Sequence, residues 1–188
     1  MTGDPRIDSY EWAGGREAML RFGPEDGPII VAALPLLEEA NRTRAFVVTL
    51  LRLLAERGIG GVLPDLPGQG ESLLPTAAMT LTDLRSAFAA ASSPGAYAVA
   101  VRSGALLDAS AARRWHLAPQ DGAELARELR RLKAAGARDE VAGNLLSSRL
   151  LSELEDRIGI TIEDDEVDGE MLETFGALTR FAASKTRA

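Results

Sequence analysis

Residues 9–34 alternate between polar and apolar side chains, with turn dipeptides at Gly14-Gly15 and Asp26-Gly27. Alternation with a period of two is typical of strands that face water on one side, and glycine-rich dipeptides mark the turns between such strands. Residues 28–34 are apolar throughout, which fits a strand that is covered on both faces. The pattern therefore predicts a short antiparallel meander whose last strand lies inside a sheet.

From residue 41 the hydrophobic period becomes that of a helix. Residues 41–57 predict an amphipathic helix, with Asn41 or Thr43 as its N-cap and Gly58 as its C-terminal stop. The face that we expect this helix to bury carries Phe46, Leu50, Leu53 and Leu54. A second helix is predicted at residues 81–91.

Strands and helices then alternate as far as residue 120. Thr80 or Thr82 is expected to begin the second helix, while residues 59–66 and 96–101 predict the strands on either side of it. Residues 103–111 predict a further helix, and residues 113–120 include a further short strand. A strand, helix, strand order implies right-handed crossovers between parallel strands. The predicted fold class is α/β, with a mostly parallel sheet and flanking helices.

Beyond residue 120 the pattern changes to amphipathic helices at residues 122–136 and 144–157, with no clear long strand between them. We therefore predict an α/β core at residues 1–120 and a C-terminal helical annex and tail at residues 121–188, packed as one unit.

Composition narrows the range of functions. The 188 residues are 46% hydrophobic and 26% charged, as in ordinary globular proteins, and the net charge of −7 disfavours nucleic acid or anionic lipid as a partner. The absence of cysteine excludes disulfides and thiolate chemistry. The start of the chain lacks a signal-peptide pattern and no apolar run is long enough to span a membrane, so we expect a cytoplasmic protein.

The string DLPGQGES at residues 65–72 follows a predicted strand and places two glycines in a tight turn. A phosphate-binding loop is one interpretation, but the string lacks both the GxGxxG spacing and the lysine of a P-loop. The string instead resembles the loop after the fourth strand of α/β-hydrolase folds, and this resemblance implies a loop that helps to form the wall of the active site.

The string AVAVRSGALL at residues 98–107 has the form of a strand that turns sharply into a helix. A nucleophile elbow needs small residues two places before and two places after its apex. Counting back from Gly104 places Arg102 at the apex with Ala100 before it, so Ser103 stands one place late. Arginine cannot act as a nucleophile. Ser103 is then either the N-cap of the next helix or the nucleophile of a shifted turn.

A serine nucleophile also needs a base, and His116 is the only histidine of the chain. It follows shortly after the elbow, whereas the α/β-hydrolase order places the histidine late, after the acid. A structural or surface role for His116 is the simpler interpretation. A serine esterase or thioesterase that uses Ser103 and His116 in an atypical arrangement is the alternative.

The predicted loop at residues 34–44 carries Glu38 and Glu39 where an α/β hydrolase would form its oxyanion hole. Two carboxylates would oppose an oxyanion, so they either pair with Arg42, Arg44 or Arg102 or are solvated. We predict a ligand pocket at this end of the strands. Its expected residues are Arg102, Glu38, Glu39, Asn41 and Asp65.

The acidic run at residues 163–166 lacks the glycine and the ligand spacing of a calcium loop, and we predict no metal and no cofactor.

The strings LPLLEEANRTR, VLPDLPGQGES, VAVRSGALLDA and EVAGNLLSSRLLSEL resemble, in this order, segments of the exosortase A system-associated hydrolases of type 2. The resemblance covers roughly residues 28–154. It implies an α/β-hydrolase-like fold, an arginine at the elbow and a link to bacterial exopolysaccharide and protein-sorting systems. A fold does not establish an activity.

The residues and the resemblance together favour a non-catalytic or accessory protein that binds a small anionic or acyl ligand, with the esterase as the alternative. A third hypothesis is a structural partner that completes an open sheet edge by forming a homodimer.

Overall fold

The chain begins with a β-hairpin. The computed structural model describes residues 5–135, 140–141 and 144–145. Strands β1 (Arg6–Trp12) and β2 (Gly15–Phe22) pair antiparallel in a register that sets Trp12 opposite Gly15. The predicted antiparallel start of the chain is thereby confirmed for its first two strands.

Four further strands complete the main sheet, namely β3 (Ile29–Ala33), β4 (Gly60–Pro64), β5 (Tyr97–Val101) and β6 (Arg113–Leu117). The order across the sheet is β1-β2-β4-β3-β5-β6. β2 pairs antiparallel with β4, whereas β3 pairs parallel with β4 and with β5, which in turn pairs parallel with β6. The sheet is mixed and mostly parallel, as predicted.

β3 is not the last strand of a meander, which corrects one expectation. It lies between β4 and β5 and has no pairing with β2. Its predicted position inside the sheet is confirmed, because four of its five residues are buried under cover on both faces. The partner was predicted wrongly because an apolar run shows burial but does not show which strands lie beside it.

Three helices are described: α1 (Glu39–Ala55), α2 (Leu81–Ala91) and α3 (Gly122–Ala135). α2 has the predicted bounds, and Thr80 is its N-cap. α1 begins two residues earlier than predicted, with Glu38 at the N-cap position and no side-chain cap. Asn41 and Thr43 therefore lie inside the helix, and the prediction that either caps it is wrong.

Of the residues predicted for the buried face of α1, Leu54 is partly buried against the core, but the main buried stripe was predicted wrongly. The residues that α1 buries are Ala40, Val47, Leu51 and Ala55. Phe46 and Leu53 are 52% and 45% exposed. The predicted and the observed sets of residues both have helical spacing, and the observed set, which has the smaller side chains, lies against the sheet. Periodicity alone cannot separate two neighbouring apolar stripes on one helix.

The sheet is covered on both faces by separate hydrophobic clusters. On one face Val47 and Leu51 of α1 belong to a cluster with Phe22 of β2. On the other face Leu84 and Phe88 of α2 belong to a second cluster, which also contains Leu125, Ala126 and Leu129 of α3. The helices that follow β3 and β4 thus lie on opposite faces of the sheet.

The predicted helix at residues 103–111 is replaced by two short 3₁₀ helices, Arg102–Leu106 and Asp108–Ser110. Val101 is the N-cap position of the first, and no side chain caps it. The prediction that Ser103 caps a helix is therefore wrong. Ser103 is fully buried, and its hydroxyl contacts another segment of the chain.

Part of the annex can be compared with its prediction. Helix α3 is present, but Asn144–Leu145 forms a short strand that pairs antiparallel with Glu140–Val141, where a helix was expected to begin. The remainder of the predicted helix at residues 146–157, the acidic run at 163–166 and the tail lie outside the described residues. The boundary at residue 120 stays a prediction.

Among the described residues there is no helix long and apolar enough to cross a bilayer.

The N-terminus of α2 supplies a test of the local structure. Thr80 Oγ1 accepts a hydrogen bond from Asp83 N, and Thr80 N donates to an oxygen of the Asp83 carboxylate. Thr80→Ala removes this reciprocal capping box and should lower the free energy of unfolding by about 1 kcal/mol. Thr80→Ser keeps the hydroxyl and should stay within a few tenths of that of the wild type. Urea denaturation measures both, and equal losses in the two variants would contradict the capping role.

Candidate functional site

The carboxyl ends of β3, β4 and β5 lie side by side at one edge of the sheet. The loops that follow these strands meet there, which is where ligands bind in open α/β sheets. All five predicted site residues lie in these loops or at the start of α1.

The turn after β5 has the backbone geometry of an elbow with Arg102 at its apex. Arg102 has φ +49°, in the left-handed region that residues other than glycine, asparagine and aspartate rarely adopt. A Cβ added to Gly104 would stand 2.5 Å from the carbonyl oxygen of Ala33, so this position requires glycine. Ala100, two residues before the apex, is fully buried.

The Arg102 guanidinium lies between two carboxylates. Its Nε is 2.6 Å from Oε1 of Glu39, and its Nη2 is 3.6 Å from Oε2 of Glu128. These ion pairs connect the elbow to the start of α1 and to α3. Because two negative charges already face the guanidinium, its charge is compensated within the protein.

Ser103 is turned away from solvent. Its side chain is fully buried, and its Oγ accepts a hydrogen bond from the backbone N–H of Leu36 at 3.0 Å. The next N–H of the same loop, that of Leu37, donates to Oε1 of Gln69 at 2.9 Å. Two consecutive N–H groups of this loop therefore already have side-chain partners.

His116 has a partner that the sequence analysis did not identify. Its Nε2 lies 2.8 Å from Oδ2 of Asp108, whose side chain is fully buried, and Arg114 Nη1 lies 3.9 Å from the other carboxylate oxygen. A carboxylate only accepts, so Nε2 carries the proton of this hydrogen bond. No hydrogen bond joins His116 to Ser103 in the described part of the chain.

Asp65 is held by groups other than Arg102. Its Oδ1 forms an ion pair of 2.5 Å with Nη2 of Arg44, and its backbone oxygen accepts a hydrogen bond of 2.7 Å from the Tyr10 hydroxyl. Burial raises the pKa of that hydroxyl, and the negative charges of Glu17 and Asp65 add to the rise. The end of β4 is therefore fixed to β1 and α1.

Ser72 organises the loop after β4. Its hydroxyl donates to Oε1 of Glu17 at 3.0 Å and accepts from the backbone N–H groups of Gly68 and Leu74. Glu17 is only 5% exposed, and burial raises the pKa of its carboxyl group, with a further rise from the charge of Asp65. The hydrogen bond from Ser72 opposes this rise. A buried carboxyl on β2 thus supports the loop.

An open cavity of about 360 Å³ lies between the β3–α1 loop and the β4–α2 loop. Glu38 and Asn41 line it from the start of α1, and Gln69, Ser72 and Thr76 line it from the other side. Among the lining residues that the structure describes, Glu38 alone carries a formal charge.

The predicted pocket is therefore divided into three parts. Arg102 forms an ion pair with Glu39, and Asp65 forms one with Arg44. The other two residues, Glu38 and Asn41, line the polar cavity. The expected pairing of the loop carboxylates with arginines is present at Glu39. At Glu38 it is weaker, with Arg42 at 3.9 Å and 79% exposed. Within the described residues no three metal-ligating side chains come together.

Comparison with known proteins yields no matching family model and no matching curated protein. Solved structures do match. Epoxide hydrolase A from Mycobacterium thermoresistibile matches with a TM-score of 0.48 and 23% identity over 60% of this chain and 39% of that chain. The epoxide hydrolase VrEH1 from Vigna radiata matches with a TM-score of 0.44 and 22% identity over 55% and 33%. A protein of unknown function from Agrobacterium tumefaciens matches with a TM-score of 0.49 and 15% identity over 61% of each chain.

The matched region spans well under half the length of the two epoxide hydrolases, so their activity is not transferred to this chain. The fold is α/β, with a mixed, mostly parallel six-stranded sheet. Its main features are an antiparallel start, cover on both faces of the sheet, and a sharp turn after β5.

The buried carboxyl group of Glu17 predicts a pH dependence of stability. A carboxyl pKa that is higher in the folded than in the unfolded state contributes stability at low pH, and this contribution is lost as the pH rises through the folded pKa. The free energy of unfolding of the wild type should therefore fall relative to that of Glu17→Gln as the pH rises from about pH 4, near the ordinary carboxyl pKa of the unfolded chain, through the raised pKa of the folded state. Urea denaturation across this range measures the difference.

Glu11→Gln, at an exposed position on β1, is the matched control and should follow the wild-type profile. Parallel pH profiles for Glu17→Gln and the wild type would contradict the burial argument.

The ion pair at the elbow can be measured with a double-mutant cycle of Arg102→Met and Glu39→Gln. Both side chains are about one-third exposed, so solvent screening should limit their coupling energy to about 0.5–1 kcal/mol. The control cycle uses Arg6→Met and Glu25→Gln, whose 2.9 Å pair is more than half exposed and should give a smaller coupling. Equal couplings in chemical denaturation would show that the elbow pair has no special role.

Proposed function

We propose that this protein is a non-catalytic, α/β-hydrolase-like binding protein in which the nucleophile elbow has become a structural joint. The observation that carries the proposal is the position of Arg102 at the left-handed apex of the turn after β5. A guanidinium has no lone pair available for nucleophilic attack and stays protonated in proteins. The apex therefore offers an ion pair where a hydrolase would offer a nucleophile.

The surroundings of the apex support the same proposal. Ser103 is fully buried and accepts a hydrogen bond from the Leu36 N–H, so its hydroxyl has no route to a substrate. Glu39 stands beside the apex at the start of α1, where its negative charge would oppose a developing oxyanion. Acyl transfer needs an accessible nucleophile and a site that stabilises the oxyanion, and these two features leave the turn with neither.

A serine esterase or thioesterase that uses Ser103 and His116 is the second candidate. One observation favours it: the buried Asp108 carboxylate orients His116, as the acid of a catalytic triad orients its base. The surroundings of Ser103 argue against this candidate, because the hydroxyl of Ser103 has a backbone N–H as its hydrogen-bond partner and not His116.

An accessory role in exopolysaccharide or export-linked biosynthesis is part of the proposal and rests on the sequence resemblance. An acyl or anionic ligand near Arg102 and a homodimer also stay predictions. Compensation of Arg102 by Glu39 and Glu128 weighs against an anion at that position.

A fluorophosphonate probe distinguishes the two candidates. The purified, folded protein should remain unlabelled, because the Ser103 hydroxyl is buried and a nucleophilic serine reacts only when it is exposed to the probe and activated by a base. Ser103→Ala should behave identically, and an active serine hydrolase in the same mixture serves as the positive control. Labelling of the wild type that disappears in Ser103→Ala would overturn the non-catalytic proposal.

A further inference from the structure

The polar cavity lies at a point where the sheet favours ligand binding. β3 and β4 are adjacent parallel strands, and the helices that follow them, α1 and α2, cover opposite faces of the sheet. The loops after two such strands diverge, which leaves a crevice outside their carboxyl ends. The cavity of about 360 Å³ occupies this crevice, and its volume is near the lower end of small-molecule pockets, which run from roughly 300 to 1,000 Å³.

The walls of the cavity are tied together within the protein. Gln69 Oε1 accepts from Leu37 N and so joins the two loops across the crevice. Thr76 Oγ1 donates to the carbonyl oxygen of Gly68, and Gly68 N donates to Ser72 Oγ. Gly68 has φ +73°, and a Cβ there would stand 2.8 Å from Met79 Cγ. Such internal bonds pre-organise a site and reduce the entropy lost on binding.

Three polar groups of the lining remain available to a ligand. The Glu38 carboxylate is 44% exposed and has only a distant partner in Arg42, at 3.9 Å. Within the described residues the Asn41 side chain has no hydrogen bond, and Gln69 Nε2 donates none. Glu38 and Asn41 are three residues apart at the start of α1, so they lie on the same side of the helix.

These groups combine acceptors with donors. The carboxylate only accepts, the Asn41 amide both accepts and donates, and the Gln69 NH₂ group donates. A hydroxyl group is itself both a donor and an acceptor, so neighbouring hydroxyls complement this set. An anion would be repelled by Glu38, and the described part of the lining contains no arginine or lysine to bind it. An ammonium group could only donate, which would leave the amide donors unmatched.

We propose that the Glu38/Asn41/Gln69 cavity binds a small neutral ligand with adjacent hydroxyl groups, of the size of a monosaccharide. This deepens the proposed function, on which it rests, by naming the ligand class of the binding protein. The cavity is separate from the Arg102 elbow, where acyl-transfer chemistry would take place.

The test is a titration of the ¹⁵N-labelled full chain, followed by ¹H–¹⁵N correlation spectra. Methyl α-D-glucopyranoside is the neutral probe, and butylammonium chloride and sodium acetate are comparators at equal ionic strength and millimolar concentration. The glucoside should shift the backbone amides of Gly68 and Gly70 and the side-chain amide of Asn41, whereas the two charged probes should not.

The variants locate the binding site. Asn41→Ala and Glu38→Ala should each weaken binding of the glucoside about tenfold, because each removes hydrogen bonds to the ligand. Neither change removes a helix cap, since no side chain caps α1, and well-dispersed spectra verify the fold. Glu71→Gln is the matched control, because Glu71 is exposed and lies in the β4–α2 loop outside the cavity lining. This variant should bind the glucoside with the affinity of the wild type.

Stronger shifts with butylammonium or acetate would overturn the neutral class, and no shifts with any probe would overturn the site. Both outcomes are independent of fluorophosphonate labelling at Ser103, which tests the non-catalytic proposal by itself.

Discussion

The turn after β5 is pressed against the end of β3, and the rest of the site depends on this contact. Gly104 lies so close to the carbonyl oxygens of Ala33 and Leu34 that a Cβ would stand 2.5 Å and 2.7 Å from them. The Ser103 hydroxyl accepts from the Leu36 N–H in the same region. Because the backbone bends sharply here, Arg102 takes a left-handed conformation at the apex. The elbow geometry is thus maintained by packing and does not need a nucleophile.

Charge compensation explains how polar groups are accommodated around this joint. Arg102 pairs with Glu39 and Arg44 pairs with Asp65, while the fully buried carboxyl group of Asp108 has a hydrogen-bond partner in His116. A buried charge is costly unless it has a partner, so these pairs fix the loops in one arrangement. Among the described residues Glu38 differs from these carboxylates, since its ion-pair partner Arg42 is 3.9 Å away and exposed. The described lining of the cavity therefore leaves one carboxylate and two amides for a ligand.

The sequence-based predictions were correct where neighbouring residues determine the structure and wrong where contacts between distant segments determine it. The bounds of α2 were predicted because Thr80 and Asp83 form a capping box that is local in sequence. The apex at Arg102 was predicted because small residues are needed at fixed offsets in a sharp turn. The buried stripe of α1 was not predicted, since Phe46 and Val47 lie on neighbouring apolar stripes of the helix. Which of the two stripes is buried depends on the sheet against which the helix packs. The 3₁₀ turns at 102–110 likewise depend on contacts with distant segments.

The sequence by itself determined the α/β class, the antiparallel hairpin, the strands of the main sheet and the identity of the apex residue, since each follows from short-range periodicity or steric rules. The tertiary structure decided which polar groups meet across the sheet and its loops. Glu17 and Ser72 are 55 residues apart in the chain, as are Tyr10 and Asp65. The tertiary structure also set β3 between two parallel partners instead of beside β2, and it opened the cavity between two loops. Such long-range partners leave no periodic trace in the sequence, because the sheet order and the crossing of helices to opposite faces bring them together.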